Sequence, residues 1–180
     1  MNGFELSILD GIADIFGCKL LDTVMPIITL FGDGGIFWIA LAVIFLIFPK
    51  TRKMGLTMGL ALAIGFLVGN IFLKNAVGRI RPYDLNPEFP LLIEKLHDYS
   101  FPSGHTLASF EAATAIFLYN KKIGIPALVL ACLIAFSRLY LYVHYPTDVL
   151  CSVVLGIGIA FLSFFLVKKL YQRSQNKLSK

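Results

Sequence analysis

Uncharged blocks of apolar residues alternate with short polar stretches along the whole chain. Met54 to Leu73 and Val149 to Val167 hold no charged residue, and each, at roughly 20 residues, is long enough to cross the hydrocarbon core of a bilayer. Nearer the start, Phe4, Leu6, Ile8, Leu9, Ile12, Ile15 and Phe16 recur at helical spacing around Glu5, Asp10 and Asp14, which predicts a helix lying at or dipping into the interface. Leu20 to Phe31 is a short apolar segment broken by Gly32-Asp33-Gly34-Gly35, and a span through Ile36 to Phe48 ends at Pro49. Pro82, Pro87, Pro90 and Pro102 prevent a continuous helix between Lys74 and Pro102, so this is the one long loop. Helices follow from near Ser103 to about Tyr119 and from Ile123 to about Tyr142; Tyr145-Pro146 makes a turn, and Thr147 or Asp148 opens the last span. The pattern predicts an all-α polytopic transmembrane bundle of about six membrane helices, five clear spans plus shorter N-terminal helices. Residues 1–180 read as one integral-membrane domain.

Composition agrees, with 57% hydrophobic residues, 15% charged residues and a mean hydropathy of +0.78. A soluble domain of this size has no interior large enough to hide so much apolar surface. The net charge of +5 has meaning by position: Lys50 to Lys53, Lys121-Lys122 and the tail from Lys168 each sit at one end of an apolar run. The positive-inside tendency puts these groups on the cytoplasmic side, and nucleic acid is not implied. Alternation from span to span then carries Lys74 to Ser103 and Arg138 to Asp148 together to the non-cytoplasmic face of a bacterial-type cell membrane. Cys18, Cys132 and Cys151 are too dispersed for a disulfide framework and read as buried small hydrophobes. Met1 to Gly17 has no basic n-region or small-residue cleavage site, so it is expected to be kept.

Three polar clusters on that face hold the candidate chemistry. Lys74, Arg79 and Arg81 lie where a span frays into the loop, with guanidinium forks and an ammonium suited to phosphate oxygens, although a single such residue taken alone reads more readily as a snorkelling interfacial cation. Ser103 caps a helix whose first backbone N–H groups face any bound anion, and Gly104 lets that backbone come close. His144 and Asp148 are four apart, so the carboxylate can hold one imidazole nitrogen and leave the other free to attack; Arg138 supplies another cation. Glu111, two turns into the helix begun by Ser103, reads either as a hydrogen-bonding group between helices or as a group near the pocket. Asp33 reads as a helix cap, and His97 and Asp98 carry no motif.

Taken in order, Lys74-x6-Arg81-Pro82, Pro102-Ser103-Gly104-His105 and Ser137-Arg138-x5-His144-x3-Asp148 resemble the complete three-part signature of the type 2 phosphatidic acid phosphatase (PAP2) superfamily. The resemblance implies that His144 takes the phosphoryl group as phosphohistidine, that Asp148 orients its imidazole, and that His105 protonates the leaving oxygen. It implies that Lys74, Arg81, Ser103, Gly104 and Arg138 hold the phosphate, with no metal and no cofactor. The expected enzyme is a membrane lipid phosphatase with a lipid phosphate and the bilayer as its partners and no obligatory protein partner. Its compact form resembles the family's undecaprenyl pyrophosphate phosphatases; phosphatidylglycerophosphate and phosphatidic acid phosphatases share the signature.

Two other classes stand beside this expectation. A metal-dependent hydrolase could use His105, His144 and Asp148 as ligands, but the neighbouring cations would repel the metal. A lipid transporter also places ionisable groups among helices, yet no paired repeats are visible and the polar groups gather on one face.

Overall fold

Ser103 and Asn120 each cap the start of a helix in this chain with a side chain, and glycines shape turns between others. The computed structural model describes residues 2–178. Helices α1 (Asn2–Phe16), α2 (Lys19–Leu30) and α3 (Ile36–Ile47) come first, the last two joined by a 3-10 turn over Asp33–Gly35. In that turn Gly34 and Gly35 have φ of 56° and 67°, the left-handed region that glycine enters without strain. Helix α4 (Arg52–Gly65) runs into a π-helical stretch, Phe66–Leu73, and then into α5 (Lys74–Val77), which Gly78 closes in the left-handed conformation. Arg81 is extended, and Pro82 opens the short α6 (Pro82–Leu85) at the position where a missing N–H costs nothing.

Helices α7 (Gly104–Tyr119) and α8 (Lys121–Tyr140) meet at Asn120, whose side chain accepts from the Lys122 N–H at 3.0 Å. Pro146 starts α9 (Pro146–Leu178). No strand occurs among the described residues. Among the described residues four helical stretches are long and apolar enough to cross a membrane: Lys19–Ile47, Arg52–Leu85, Lys121–Tyr140 and Pro146–Asn176. The last runs well past the expected end at Val167.

Helix α7 is the axis of the bundle and packs against α4, α8 and α9. Its Ala112, Ala113 and Ala115 are fully buried, and small side chains are what let helix backbones approach where lipid supplies no hydrophobic drive. Gly124 and Gly156 serve the same end, since a Cβ at either would press on the backbone of α7. Trp38 Nε1 donates to Ser109 Oγ at 3.0 Å, tying α3 to this axis. Outward, Ile47, Phe72, Leu150, Val154 and Phe165 are exposed. A belt of bare large apolar side chains around a bundle is the surface of a multi-pass membrane protein, with lipid as its solvent. Cys132 and Cys151, expected to be buried, also lie on this outer surface, as does Cys18 at the junction of α1 and α2.

Candidate active site

The end of the bundle formed by the Lys74–Ser103 loop, the start of α7 and the α8–α9 link encloses a cavity of about 1070 Å³. Lys74, Arg81, Gly104, His105, Arg138 and His144 all line it, so five separate elements bring together six of the eight residues marked by the sequence. Asp148 and Ser103 stand behind the cavity wall. Ser103 is fully buried, and its hydroxyl caps α7, accepting from the Thr106 N–H at 3.5 Å and lying 2.9 Å from Thr106 Oγ1.

His144 sits on the link after α8, where Tyr142 adopts φ of 59°. A tyrosine in the left-handed region is strained, and it is held there by stacking on Phe89 at 4.0 Å and by its hydroxyl donating to Asp10 at 2.7 Å. The His144 ring is thereby turned inward. Its Nδ1 lies 3.7 Å from Asp148 Oδ2 and 3.5 Å from Ser100 Oγ, and Ser100 in turn donates to Asp148 at 2.5 Å. Its Nε2 lies 3.4 Å from Arg81 Nη1, a donor, so this nitrogen is the unprotonated one, on a residue that lines the cavity beside that guanidinium. Burial, reinforced by Arg81 and Arg138 and opposed by Asp148, lowers the imidazole to about 3 and keeps it neutral.

Arg79 takes a different place from its neighbours. It donates to Asp148 Oδ1 at 2.5 Å and to Thr147 Oγ1 at 2.7 Å, pairs with Glu5 on α1, and lies over the Tyr145 ring. It is therefore a clamp on the carboxylate behind His144 and not a third phosphate cation beside Lys74 and Arg81. Asp148 also accepts from the Tyr145 N–H at 3.0 Å. The carboxylate is fixed from three sides.

Asp98, which carried no motif, pairs with Lys74 and receives Arg81 Nη2 at 2.5 Å; its backbone oxygen accepts Arg81 Nε at 2.8 Å. Burial would raise this carboxyl, but the two cations outweigh it and hold it at about 2. Arg138 is almost fully buried, donates to Thr29, and leaves Nε and Nη2 without partners among the described residues. A buried donor left unmade costs about 1–3 kcal/mol, more when charged, so an anion in the cavity relieves a cost already present.

Across the cavity His105 Nε2 donates to Asp33 Oδ1 at 2.6 Å. Asp33 is thus a partner of His105, where the sequence read a helix cap. Deeper in the cavity Glu111 presents a buried Oε1 without a hydrogen-bond partner, and Asn70 Oδ1 is likewise unpartnered. Among the described residues no three or more His, Cys, Asp or Glu are grouped to hold a metal ion.

Comparison with known proteins adds three findings. A family model described as the PAP2 superfamily matches residues 52–172. The undecaprenyl-diphosphatase of Sulfolobus acidocaldarius is 38% identical over 128 residues, 70% of this chain and 61% of that protein's length; undecaprenyl-diphosphatase BcrC of Bacillus subtilis is 33% identical over 172 residues, covering 90% of this chain and 88% of its own. The crystal structure of a transmembrane PAP2 type phosphatidylglycerolphosphate phosphatase from Bacillus subtilis superposes with a TM-score of 0.74 at 30% identity, covering 95% of this chain and 86% of that one.

Proposed function

The chain belongs to the PAP2 superfamily, and from that premise we propose that it is a lipid phosphatase acting through a phosphohistidine, with undecaprenyl pyrophosphate as its substrate and undecaprenyl phosphate as its product. One observation carries the reading: His144, whose Nε2 is met by the Arg81 guanidinium at 3.4 Å, and the cations Lys74, Arg81 and Arg138 face a single cavity set among apolar helices. A phosphoryl group held by those cations lies in front of the imidazole. His144 Nε2 attacks phosphorus as the bond to the leaving oxygen breaks, and His105 delivers a proton to that oxygen. Asp148, bridged by Ser100, supports the positive charge that forms on the ring. Water then attacks the phosphohistidine, giving up its proton to His105, and inorganic phosphate leaves. The cations offset the charge that builds on the equatorial oxygens.

The Gly104 and Ser103 backbone N–H groups, at the start of α7, complete the anion site. The whole chain acts as one domain of about six crossings, α7 included, in the cell membrane. Its active site opens on the non-cytoplasmic face, and it needs no cofactor, no metal and no protein partner. The names of the two undecaprenyl-diphosphatase relatives support the prenyl substrate. The structural likeness to the phosphatidylglycerolphosphate phosphatase favours that glycerophospholipid as the second reading.

Phosphate release from undecaprenyl pyrophosphate, phosphatidylglycerophosphate and phosphatidic acid, measured side by side on purified protein with and without chelator, tests the activity, the substrate and the independence from metal. Wild type is expected to prefer the prenyl diphosphate and to resist chelator, and His144→Ala to release none. A strong preference for either glycerophospholipid would overturn the substrate. Transbilayer movement of labelled lipid without any phosphate release would overturn the enzyme.

A further inference from the structure

The Gly32-Asp33-Gly34-Gly35 turn has no part in the three-cluster signature, yet it is built onto the ring of His105. The Gly32 position has no room for a side chain, because a Cβ there would come within 2.6 Å of His105 Cδ2 and 3.0 Å of Cγ. Gly34 and Gly35, both at positive φ, fold the turn back so that the Gly35 N–H donates to the Gly32 oxygen at 3.2 Å. Between them Asp33 accepts the His105 Nε2 proton at 2.6 Å. Among the described residues Nδ1 of that ring has no hydrogen-bond partner.

We propose that Asp33 is a positioning residue for His105, holding its proton on Nε2 and so assigning Nδ1 as the atom that exchanges a proton with the substrate; this rests on the phosphatase reading of the site. The two imidazoles of the site are then held by opposite nitrogens. His144 is backed at Nδ1 and works through Nε2; His105 is backed at Nε2 and works through Nδ1. In the first step the doubly protonated His105 passes its Nδ1 proton to the oxygen leaving phosphorus and stays protonated on Nε2, against Asp33. In the second step the Nδ1 lone pair takes a proton from the attacking water, and the ring returns to its starting state. No further reactant is needed. Besides Asp33, the charged groups that face this ring are Arg138 from α8 and Lys74 from α5.

The test compares Asp33→Asn and Asp33→Glu with wild type on a lipid phosphate and on an aryl phosphate, whose leaving group needs little protonation. Asp33→Asn should lower kcat on the lipid about tenfold or more with KM changed little, and the aryl phosphate should lose much less. The alkaline limb of its pH profile should move down by about one unit, and Asp33→Glu should restore part of it. Equal losses on both substrates with an unmoved alkaline limb, or no loss, would overturn the proposal. A readout without substrate separates it from the phosphatase reading: the chain has 3 histidines, and the 15N spectrum of labelled protein reports each tautomer. Neutral His105 should carry its proton on Nε2 in wild type and lose that bias in Asp33→Asn. A proton found on Nδ1 in neutral wild-type His105 overturns the proposal whatever the activity; failure of wild type to release phosphate overturns only the activity.

Discussion

His144 shows how much of this site works through residues that never touch the substrate. The Asp148 carboxylate backing it is gripped by Arg79, which is itself pinned by Glu5 from α1. Arg79→Ala should therefore lower kcat by about 10–100-fold while leaving KM within a few fold, because the loss falls on orientation and not on phosphate binding. A KM rise as large as the kcat loss would return Arg79 to the phosphate clamp. The titrating groups outside the spans also fix a direction for acid sensitivity. His144 is held at about 3, well below its unfolded value, so its contribution is complete above about pH 6.5 and is lost as pH falls toward 3. Asp98, held at about 2, adds a contribution present above about pH 4 that is lost as pH falls further. The melting temperature in detergent should thus fall on acidification from about pH 6.5, and His144→Gln should remove the upper part of that fall. An unchanged melting temperature between about pH 7 and 4 would contradict the burial argument. At this scale the sequence revealed residues with fixed local spacing and hid their long-range partners. His144 and Asp148 are four apart, whereas Asp33 lies 72 residues from His105, and Glu5 reaches Arg79 across 74.

Helix boundaries followed local chemistry, and so they were largely legible: Ser103 caps α7 and Gly32 to Gly35 separate α2 from α3, while the expected loop from Lys74 holds the short α5 and α6 and is irregular throughout only beyond Leu85. The π-helical stretch Phe66–Leu73 was not, because nothing in an uncharged apolar run announces an extra residue in a turn. A tertiary contact falls at its start: at Gly65, where α4 gives way to the π stretch, the Glu111 carboxylate from α7 occupies the space a Cβ would fill. Gly65→Ala should cost about 1–3 kcal/mol of stability by overpacking. Most of that cost should vanish in a Glu111→Ala background, since the clash is with that carboxylate; thermal unfolding of the two single variants and the double variant gives the coupling. Strict additivity would mean that Gly65 is required by some other contact. The exposed cysteines have a related explanation. A residue inside an apolar run reads as buried, but in lipid such a run is apolar on its outer face as well, and Cys132 and Cys151 occupy that face.

For the molecule as a whole, the decisive constraint is that one end of the bundle holds all the catalytic candidates. Basic residues mark the other end: Lys50 precedes α4 and Arg52 and Lys53 open it, Lys121 and Lys122 start α8, and Lys168 and Lys169 lie late in α9. The proposal that the lysine-rich end stays cytoplasmic, as the positive-inside tendency has it, sends the loop holding Asp98 outward. Single reporter cysteines in a chain whose Cys18, Cys132 and Cys151 are replaced by alanine can test this. Glu94 lies exposed in the loop bordering the cavity and Lys121 lies exposed at the opposite end. A membrane-impermeant thiol reagent added to intact cells should label Glu94→Cys and spare Lys121→Cys until the membrane is opened. The reverse pattern would put the cavity in the cytoplasm, and a carrier lipid arriving with its diphosphate on the outer leaflet could not be the substrate. Labelling of both without opening the membrane would break the assumption that the two ends lie on opposite sides, and with it the alternation that brought the three polar clusters to one face.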